Sequence, residues 1–572
     1  MIKKLFGAIL AATIFAGCFL GLVSCGNKTA YDASNFLTEA EAKELYGDSR
    51  RIVKEPVTIK VFVPKSSLNP DYNELISMKE LSRVTNIKFD FIEADVGAYD
   101  SLRTVTWENK DELPDLFLYN NPLSEQMTYA PLGALVAFND DNLTSGGVKA
   151  GNLIDNYMPV YKDLLNNDFY AANPQVSAKS VVTLSDGKMY ATVACNDIPR
   201  DRTFKMYLNQ KWIDDLNEEY SLGLKNQPET IDEYITVLKA FRDYDANHNG
   251  IIDDEIPLSA LSLHMVRYFI LCAYGYTSNG IEIEDDFSKF TYVPKTDNYR
   301  EYLKTMNYLY KEKLLDNGTF EMNAGSQLAG KGYDNRLGSW ADAAAYLTVG
   351  KELEDDYTSF GPLTSNYSDK KLAYALSEMF SASGAVIPNG TLYVREIARL
   401  LDLMYSDWGS SLMAVGVEGD NWEWIDEEHT EWKFNIPSSW TGTNEEYRAL
   451  ISPSVGTGCA LFAKNAFDEK QVDVTLDKIN EEVKKYIPYI KQDIPDGFKM
   501  TTSQYNSVSN IIANLDVYRD TMEARFIKGT LDPSSDKDWN EYVSKLKQYK
   551  CDELEKIYNE ALKDNNLIGG KA

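Results

Sequence analysis

The sequence predicts an α/β protein built from two lobes. Three observations support this prediction: strand and helix patterns alternate early in the chain, helical patterns dominate its later part, and no internal repeat is present. With 572 residues and 44% hydrophobic side chains, the chain is long enough to bury more than one core. A solenoid, which needs repeated units, is therefore disfavoured.

The early segment has the pattern of strand, helix, strand. Residues 57–63 alternate in polarity and are rich in β-branched side chains, which predicts the first strand. Residues 71–84 have apolar side chains at helical spacing, and residues 87–92 and 113–119 predict two more strands. Strands joined through a helix run parallel, so we expect a parallel sheet. No glycine-rich phosphate-binding motif follows these strands, which argues against a nucleotide site.

Later elements are mostly helical. Thr230 and Glu233 form a capping-box pattern that opens a helix reaching about Arg242. Further amphipathic or charged patterns predict helices over residues 302–315, 394–405, 476–490 and 539–562. The last two of these predict a helical C-terminal extension.

The first 25 residues predict the compartment. Lys3 and Lys4 precede an uncharged apolar run that ends in Leu-Val-Ser-Cys at Cys25. This is the pattern of a secretory leader with a bacterial lipobox, in which cleavage before the cysteine exposes a thiol for lipidation. We expect residues 1–24 to be removed and residues 25–55 to form a lipid-anchored tether outside the cytoplasm. An uncleaved membrane anchor is the alternative, because the run is nearly long enough to span a bilayer.

Composition argues against several functions. Asp and Glu number 87 against 58 Lys and Arg, which gives a net charge of -29 and disfavours nucleic acid as a partner. The three His are scattered, and no Ser/His/Asp constellation stands out, so we expect no enzymatic activity. An extracellular glycan-active enzyme is the alternative, because two positioned carboxylates suffice for glycoside hydrolysis. Disulfides or single buried thiols are both open for Cys195, Cys272, Cys459 and Cys551.

Residues 245–255 form the most specific chemical motif. Oxygen donors recur at alternate positions, and Gly250 stands where the chain must turn sharply. The expected ligands of a structural Ca²⁺ are the side chains of Asp245, Asn247, Asn249 and Asp253, the carbonyl of Ile251, and a final carboxylate from Asp254 or Glu255. Ile256 occupies the position where an EF-hand has its last glutamate, so the loop departs from that motif. An acidic turn without an ion is the alternative.

Residues 241–258 resemble the calcium loop of family 1 extracellular solute-binding proteins. These are the lipoprotein receptors of carbohydrate ABC importers, including importers of alginate and other oligosaccharides. Further segments resemble the family in the same order along the chain, at residues 113–116, 131–138, 185–191, 211–213, 415–419 and 526–529. Many loops of the family have one residue fewer between Gly250 and Ile256, which leaves the final ligand open.

The resemblance implies a type II periplasmic-binding-protein-like fold. Two α/β lobes would close like a clamshell over a ligand in the cleft between them, and the closed form would be recognised by a membrane permease. Residues 56–180 with roughly 335–415 would form the N-terminal lobe. Residues 181–334 with roughly 416–572, including the calcium loop, would form the C-terminal lobe. The ligand would be a carbohydrate and the protein a monomer; a glycan-capture lipoprotein outside ABC transport is the alternative.

Sugars present apolar C–H faces and rims of hydroxyl groups, which aromatic, carboxylate and amide side chains complement. The expected ligand-binding residues are Tyr119, Asn120, Trp340, Glu418, Trp422 and Trp440. The first two follow a predicted strand, where open α/β sheets bind ligands. Core packing is the alternative for each tryptophan, and Trp424 competes with Trp422. Arg202 could pair with an acidic sugar, although a salt bridge is the simpler expectation.

Overall fold

The computed structural model describes residues 31–569 except 111, 167–176, 323–324, 443, 456, 458–459 and 492–493. The expected leader and Cys25 lie outside the described residues. The described strands are β1 (Val57–Lys65), β2 (Ile87–Asp95), β3 (Leu116–Leu118), β4 (Thr144–Ser145), β5 (Val148–Lys149), β6 (Ala194–Asn196), β7 (Lys205–Asn209), β8 (Ile281–Ile283), β9 (Phe290–Tyr292), β10 (Ser339–Asp342), β11 (Tyr357–Ser359), β12 (Phe380–Ser381), β13 (Ala385–Val386), β14 (Trp422–Trp424), β15 (Trp432–Phe434) and β16 (Phe462–Ala463). The described α-helices are α1 (Glu39–Tyr46), α2 (Ile76–Thr85), α3 (Tyr99–Glu108), α4 (Leu123–Tyr129), α5 (Leu153–Tyr157), α6 (Pro159–Asn166), α7 (Ala178–Val182), α8 (Gln210–Tyr220), α9 (Ile231–Asp243), α10 (Leu263–Cys272), α11 (Asp297–Lys311), α12 (Gly325–Tyr333), α13 (Tyr346–Val349), α14 (Val394–Tyr405), α15 (Asp407–Val415), α16 (Asn444–Ala449), α17 (Asn465–Asp468), α18 (Val474–Val483), α19 (Thr502–Ile527), α20 (Asp536–Gln548) and α21 (Cys551–Asp564).

The predicted parallel sheet is present. β1 pairs in parallel with β2 and β3, and β13 adds an antiparallel edge, which gives the order β13-β3-β1-β2. The inner strand β1 buries Val61 and Val63, while α2 buries Met78 and Leu81. The β-branched alternation of the sequence thus encodes a sheet that is covered by helices.

Buried apolar side chains form two large cores, which define the two lobes. The N-terminal lobe takes its core from residues 36–195, 380–412 and 461–462. The C-terminal lobe takes its core from residues 206–363 and 508–554. The chain therefore crosses between the lobes near residues 196–205 and 364–379, and again after residue 462.

Residues 335–363 lie in the C-terminal lobe rather than in the N-terminal lobe. β10 and β11 pair antiparallel with the two edges of β7, and Ala341 and Phe360 enter the C-terminal core. Conversely, Val182 and Val193 belong to the N-terminal core. These pairings join distant segments, which explains why the expected lobe boundaries differ from the observed cores.

Residues 31–55 are folded onto the N-terminal lobe, so the expected tether is too long. They contain α1, and Phe36 bridges to Val53 as an antiparallel pair. The Arg399 guanidinium donates to the carbonyls of Leu37 and Arg51 and, at 2.7 Å, to that of Ser49. Burial of the apolar side chains and satisfaction of these carbonyls hold the segment in place.

The C-terminal extension is helical but interrupted. The expected helix over 539–562 is two helices, α20 and α21, separated at Lys550, whose φ is 70°.

The expected capping box at the start of α9 is only half formed. The Thr230 hydroxyl accepts from the Glu233 amide at 3.2 Å, while the Glu233 carboxylate accepts from the Glu229 amide instead of from the Thr230 amide. Cys195, Cys272 and Cys551 are buried, and Cys195 and Cys551 are free thiols. Among the residues described here, no helix combines the length and apolar character that a membrane crossing requires.

Candidate functional site

A cavity of about 1160 Å³ lies between the two lobes. The N-terminal lobe contributes the loop after β3, part of α7 and residues 379–383, and the C-terminal lobe contributes residues within 487–491 and 494–500, part of α19 and Tyr558. The cavity therefore meets the carboxyl end of a parallel strand, where open α/β sheets bind ligands. Its volume exceeds that of a typical small-molecule site, roughly 300–1,000 Å³. It has room for a ligand built of several ring-sized units.

The floor of this cleft is formed where two interlobe crossings lie side by side. Arg202 comes from the first crossing and Glu378 from the second. The Leu376 amide donates to the Arg202 carbonyl at 2.8 Å, and Arg202 Nε donates to the Ser377 carbonyl at 3.0 Å. The Ser377 hydroxyl in turn donates to the Asp201 carbonyl at 2.9 Å. These bonds hold the backbones of the two crossings together and fix the Arg202 side chain on a floor that the two lobes share.

Both floor residues line the cavity with polar groups that could bind a ligand. In the described part of the chain, neither the Arg202 Nη groups nor the Glu378 carboxylate has a hydrogen-bond or ion-pair partner. Burial raises the pKa of Glu378, an effect that the charge of Arg202 partly opposes. Burial likewise lowers the pKa of Arg202, opposed by Glu378. The two groups thus attract each other across the floor without touching.

The C-terminal-lobe wall combines aromatic rings with hydroxyl groups. Tyr505 and Ser509 lie on α19, and the rings of Phe498 and Tyr558 are stacked with centroids 5.9 Å apart. Aromatic faces bind apolar C–H surfaces, and hydroxyl groups bind polar rims. The wall can therefore bind a ring that carries both.

One edge of the cleft is bridged by direct contacts between the walls. Asp496 accepts from the Ser177 amide at 3.0 Å and from its hydroxyl at 3.3 Å. The Gly497 amide donates to the Ser180 hydroxyl at 2.8 Å. These bonds join the loop before α19 to α7 and so connect the two walls.

Trp340 packs as core in this structure rather than as a platform. Its ring is fully buried between Tyr207, 5.6 Å away, and Tyr357, 4.7 Å away. Because the neighbouring strands of the sheet β10-β7-β11 supply these aromatic partners, neither face of the indole reaches the cavity.

The three expected residues from 418 to 440 also lie away from the cavity lining. Trp422 is buried beside Trp432 and donates its indole N–H to the Gly416 carbonyl at 3.1 Å. Glu418 is exposed on the preceding turn. Trp440 is half-buried and contacts the edge of the Tyr447 ring, with centroids 5.6 Å apart. The pairing of β14 with β15 brings Trp422 and Trp432 together, so these two rings pack against each other in a small aromatic cluster.

Tyr119 and Asn120 lie in the loop that reaches the cleft, but the next residue lines it. Tyr119 is buried, and its carbonyl accepts from the Tyr99 hydroxyl at 2.9 Å. Asn120 is exposed, and Asn121 lines the cavity while its amide donates to the Gly384 carbonyl at 2.8 Å. The strand-end rule predicts ligand binding in this loop, and the structure places Asn121 of the loop in the cavity lining. No sequence signal identified Glu378, Tyr505 or Ser509, which are contributed by distant segments.

The calcium-like loop forms a compact turn. The Asp245 carboxylate accepts from the amides of Asn249 at 3.1 Å and Gly250 at 2.8 Å. Asn247 Oδ1 accepts from the Asn249 amide at 3.0 Å, and Asn249 Oδ1 from the Ile251 amide at 2.8 Å. Gly250 has φ of 87°, a conformation that favours glycine. The side chains of Asp245, Asn247 and Asn249 therefore all bond to backbone amides of residues 249–251.

Two buried carboxylate oxygens in the loop have no partner in the described part of the chain. They are Oδ1 of Asp254 and Oε2 of Glu255. The other oxygen of Asp254 accepts from Asn249 Nδ2 at 3.1 Å and lies 3.3 Å from Arg336 Nε, whereas Glu255 Oε1 accepts only weakly from Asn247, at 3.3 Å. Burial raises the pKa of Glu255. Unsatisfied buried carboxylate oxygens are costly, and a hard cation would satisfy them.

Within residues 31–569, apart from the undescribed positions, no group of three or more His, Cys, Asp or Glu side chains is arranged to hold a metal ion. Three of the expected donors of the loop are instead the amide oxygens of Asn247 and Asn249 and the carbonyl oxygen of Ile251. Oxygen donors of these kinds, together with carboxylates, are the ligands that Ca²⁺ prefers in proteins.

No protein-family model matches the chain. The chain is 24% identical over 562 residues to FusA, a fructooligosaccharide ABC transporter substrate-binding protein of Streptococcus pneumoniae, with 94% of this chain and 95% of FusA covered. The solved structure of FusA in complex with kestose has a TM-score of 0.70 at 21% identity, covering 89% of this chain and 99% of that chain.

Other solved structures share the fold. A solute-binding protein of Bifidobacterium longum infantis that binds HMO has a TM-score of 0.70 at 17% identity, covering 91% of this chain and 100% of that chain. Alginate-binding AlgQ2, solved without calcium ion, has a TM-score of 0.67 at 20% identity, covering 89% of this chain and 99% of that chain. FusA has also been solved as an EF-hand mutant. The predicted resemblance to solute-binding proteins of ABC importers is thus confirmed in its coarse form: the chain is similar over nearly its whole length to an ABC-transporter substrate-binding protein, and it shares the two-lobe fold of these structures.

Proposed function

We propose that this protein is an extracytoplasmic solute-binding lipoprotein that captures an oligosaccharide and delivers it unaltered to the permease of an ABC importer. The observation that carries the proposal is the large cavity lined by both lobes. The relatives support the ligand class, because FusA binds fructooligosaccharide and its structural neighbours bind HMO and alginate. A ligand that touches both walls favours the closed state by its differential affinity for that state.

The lining of the cleft favours binding over catalysis. Glycoside hydrolysis requires two carboxyl groups flanking the scissile bond. Among the described residues that line the cavity, Glu378 is the single carboxylate. With Arg202 beside it and no histidine in the described lining, the site has groups that hold hydroxyls and lacks an acid–base pair.

Binding of purified protein to a panel of oligosaccharides tests this function. Isothermal titration should show one-to-one binding of one class of oligosaccharide, and chromatography after prolonged incubation should recover the sugar intact. Release of shorter sugars would contradict a receptor role.

We also propose that residues 245–255 bind a structural Ca²⁺. The side chains of Asp245, Asn247, Asn249 and Asp253 and the Ile251 carbonyl would hold it, and the bound ion would neutralise the carboxylates. For the final ligand the contacts favour Glu255, because Asp254 is already engaged by Arg336 and Asn249. Glu255→Gln should then weaken Ca²⁺ binding more than Asp254→Asn, as measured by calorimetric titration of the metal-free protein. The reverse order would assign the last position to Asp254.

The lipid anchor at Cys25 is the third part of the proposal. Tyr31 already contacts the N-terminal lobe, because its hydroxyl donates to Glu396 at 2.9 Å. Six peptide steps separate Tyr31 from Cys25, a reach of at most about 20 Å. The lobe would therefore stay close to the membrane. Cys25→Ser should move the protein from the membrane fraction to the soluble fraction, and unchanged fractionation would contradict lipidation there.

A further inference from the structure

We propose that Arg202 and Glu378 form a paired anchor on the cleft floor that holds adjacent hydroxyl groups of a neutral sugar and disfavours uronate-bearing oligosaccharides. This inference rests on the proposed function and narrows its substrate class. It starts from two charged side chains that the fold brings together from separate crossings and leaves without partners in the described residues.

The anchor is rigid because hydrogen bonds join the two crossings that carry Arg202 and Glu378. The bonds between Leu376 and Arg202, and between Ser377 and Arg202, hold the two crossings at fixed spacing. A guanidinium offers only donors, and a carboxylate offers only acceptors. A hydroxyl group does both. Two neighbouring hydroxyls can therefore accept from Arg202 and donate to Glu378 at once.

The same pairing rejects a carboxylate. Glu378 is exposed to the cleft and Arg202 is half-buried. A uronate placed on the floor would gain a bond to Arg202 but would face the negative charge of Glu378, and the bound sugar would displace the water that screens this repulsion. A neutral sugar offers hydroxyl groups to both charges and meets no such repulsion. The floor therefore discriminates by repulsion as well as by attraction.

Other charges of the lining do not reverse this preference. Lys491 is neutralised by Glu282 at 2.6 Å and Asp285 at 3.0 Å. Lys499 also lines the cavity, but it belongs to the C-terminal-lobe wall and not to the floor.

The position of the anchor determines which state it stabilises. Because the crossings belong to both lobes, Arg202 and Glu378 reach the ligand before the walls close. They should strengthen binding to the open and closed states alike, while closure itself depends on the walls. A merely structural role would change stability instead.

Calorimetric titration of wild-type protein and variants with matched trisaccharides tests the anchor. The probes are neutral trisaccharides (kestose, maltotriose and mannotriose) and trigalacturonate. We expect Glu378→Gln to weaken neutral binding about tenfold or more while weakening trigalacturonate less or strengthening it. Arg202→Gln should weaken both classes, and Lys537→Gln, at an exposed position on α20 outside the cavity lining, should change neutral binding less than about threefold. At saturating sugar, the decrease in radius of gyration should persist in the variants.

Each outcome decides one of the two proposals. A wild type that prefers trigalacturonate to every neutral probe, or a Glu378→Gln variant that binds neutral sugars as wild type does, overturns the anchor and leaves the receptor function standing. A variant whose melting temperature falls as its affinity falls assigns the pair a structural role and also overturns the anchor. A wild type that binds no saccharide of either class overturns the proposed function with it.

Discussion

The calcium-like loop and the interlobe cleft are built in opposite ways. The loop takes all its donors from residues 245–255, and its geometry follows from hydrogen bonds between close neighbours in sequence. The cleft takes its lining from residues as far apart as Asn121 and Tyr558. A local motif survives in the sequence as a pattern, whereas a site assembled by tertiary packing leaves no pattern of its own.

This difference implies that the two regions can be disrupted independently. The loop should respond to metal and the cleft to sugar, while residues of the lobe cores should respond to neither except through unfolding. Four changes test that separation.

The largest expected effect is a loss of folding stability when a residue of the lobe core is truncated. Trp340→Ala should lower the free energy of unfolding by about 3–5 kcal/mol, because it removes a fully buried indole between two tyrosine rings. Urea denaturation measures the loss, and sugar affinity below the unfolding transition should be unchanged. Trp440→Ala, at a half-buried position, is the control and should cost much less. If Trp340→Ala kept its stability and lost sugar affinity, the residue would belong to the cleft after all.

The next effect belongs to the cleft. Ser509 is exposed on α19 and lines the cavity, so Ser509→Trp should fill the cavity and weaken sugar binding about 100-fold, or about 2.8 kcal/mol. Ser507→Trp, on the same helix but outside the lining, is the matched control and should bind normally. Calorimetric titration compares the two. Equal affinity of both variants would place the sugar elsewhere.

A comparable effect belongs to the loop. With Ca²⁺ at about 100 times its dissociation constant, the ion should stabilise the protein by about 2.7 kcal/mol, and chelation should remove that gain. Asp245→Ala should abolish the chelator response in thermal unfolding without reducing sugar affinity. The control is Asp243→Ala, because Asp243 is an exposed partner of Arg242 just outside the loop. A chelator response that persisted in Asp245→Ala would show that the ion binds elsewhere.

The smallest effect is a pH dependence of the N-terminal core. Burial raises the pKa of Asp402 to about 7, although its carboxylate accepts from the Tyr161 amide at 2.8 Å and lies near Arg399. The folded state therefore binds the proton more tightly than the unfolded chain, so this group lowers stability above pH 7 and stops doing so as the pH falls toward 4.

Asp402→Asn keeps an oxygen for the Tyr161 amide and removes the charge. It should raise the free energy of unfolding on the order of 1 kcal/mol at pH 8 and change it little at pH 5. Urea titrations at both pH values measure the difference. A variant that is less stable than wild type at pH 8 would mean that the ionised carboxylate is well solvated or paired. Sugar affinity should not follow this pH dependence.

Much of the fold could be predicted because its signals are local. The parallel strands β1 and β2 follow from their β-branched alternation, and α14 spans Val394–Tyr405 as its apolar spacing predicts. The sheet β10-β7-β11 could not be predicted, because it joins strands more than 100 residues apart and each is very short. The folding of residues 31–55 depends on distant side chains of α14, namely Arg395, Glu396 and Arg399, which no local pattern reveals.

The candidate site divides in the same way. The loop donors are predicted from their spacing, and the strand-end rule indicates the segment that carries Asn121, which lines the cavity. Trp340 is predicted from its aromatic side chain, but an indole that is suited to stack on a sugar is equally suited to stack on Tyr207, as it does here. Arg202 and Glu378 meet only because two crossings run side by side.

Small-angle scattering of the purified protein, titrated with oligosaccharides and followed by chromatography of the sugar, tests the central claim most directly. A two-lobe receptor should lose radius of gyration in proportion to occupancy and return the sugar at its original length. An unchanged radius at full occupancy, or a shortened sugar, would contradict capture by closure of the cleft.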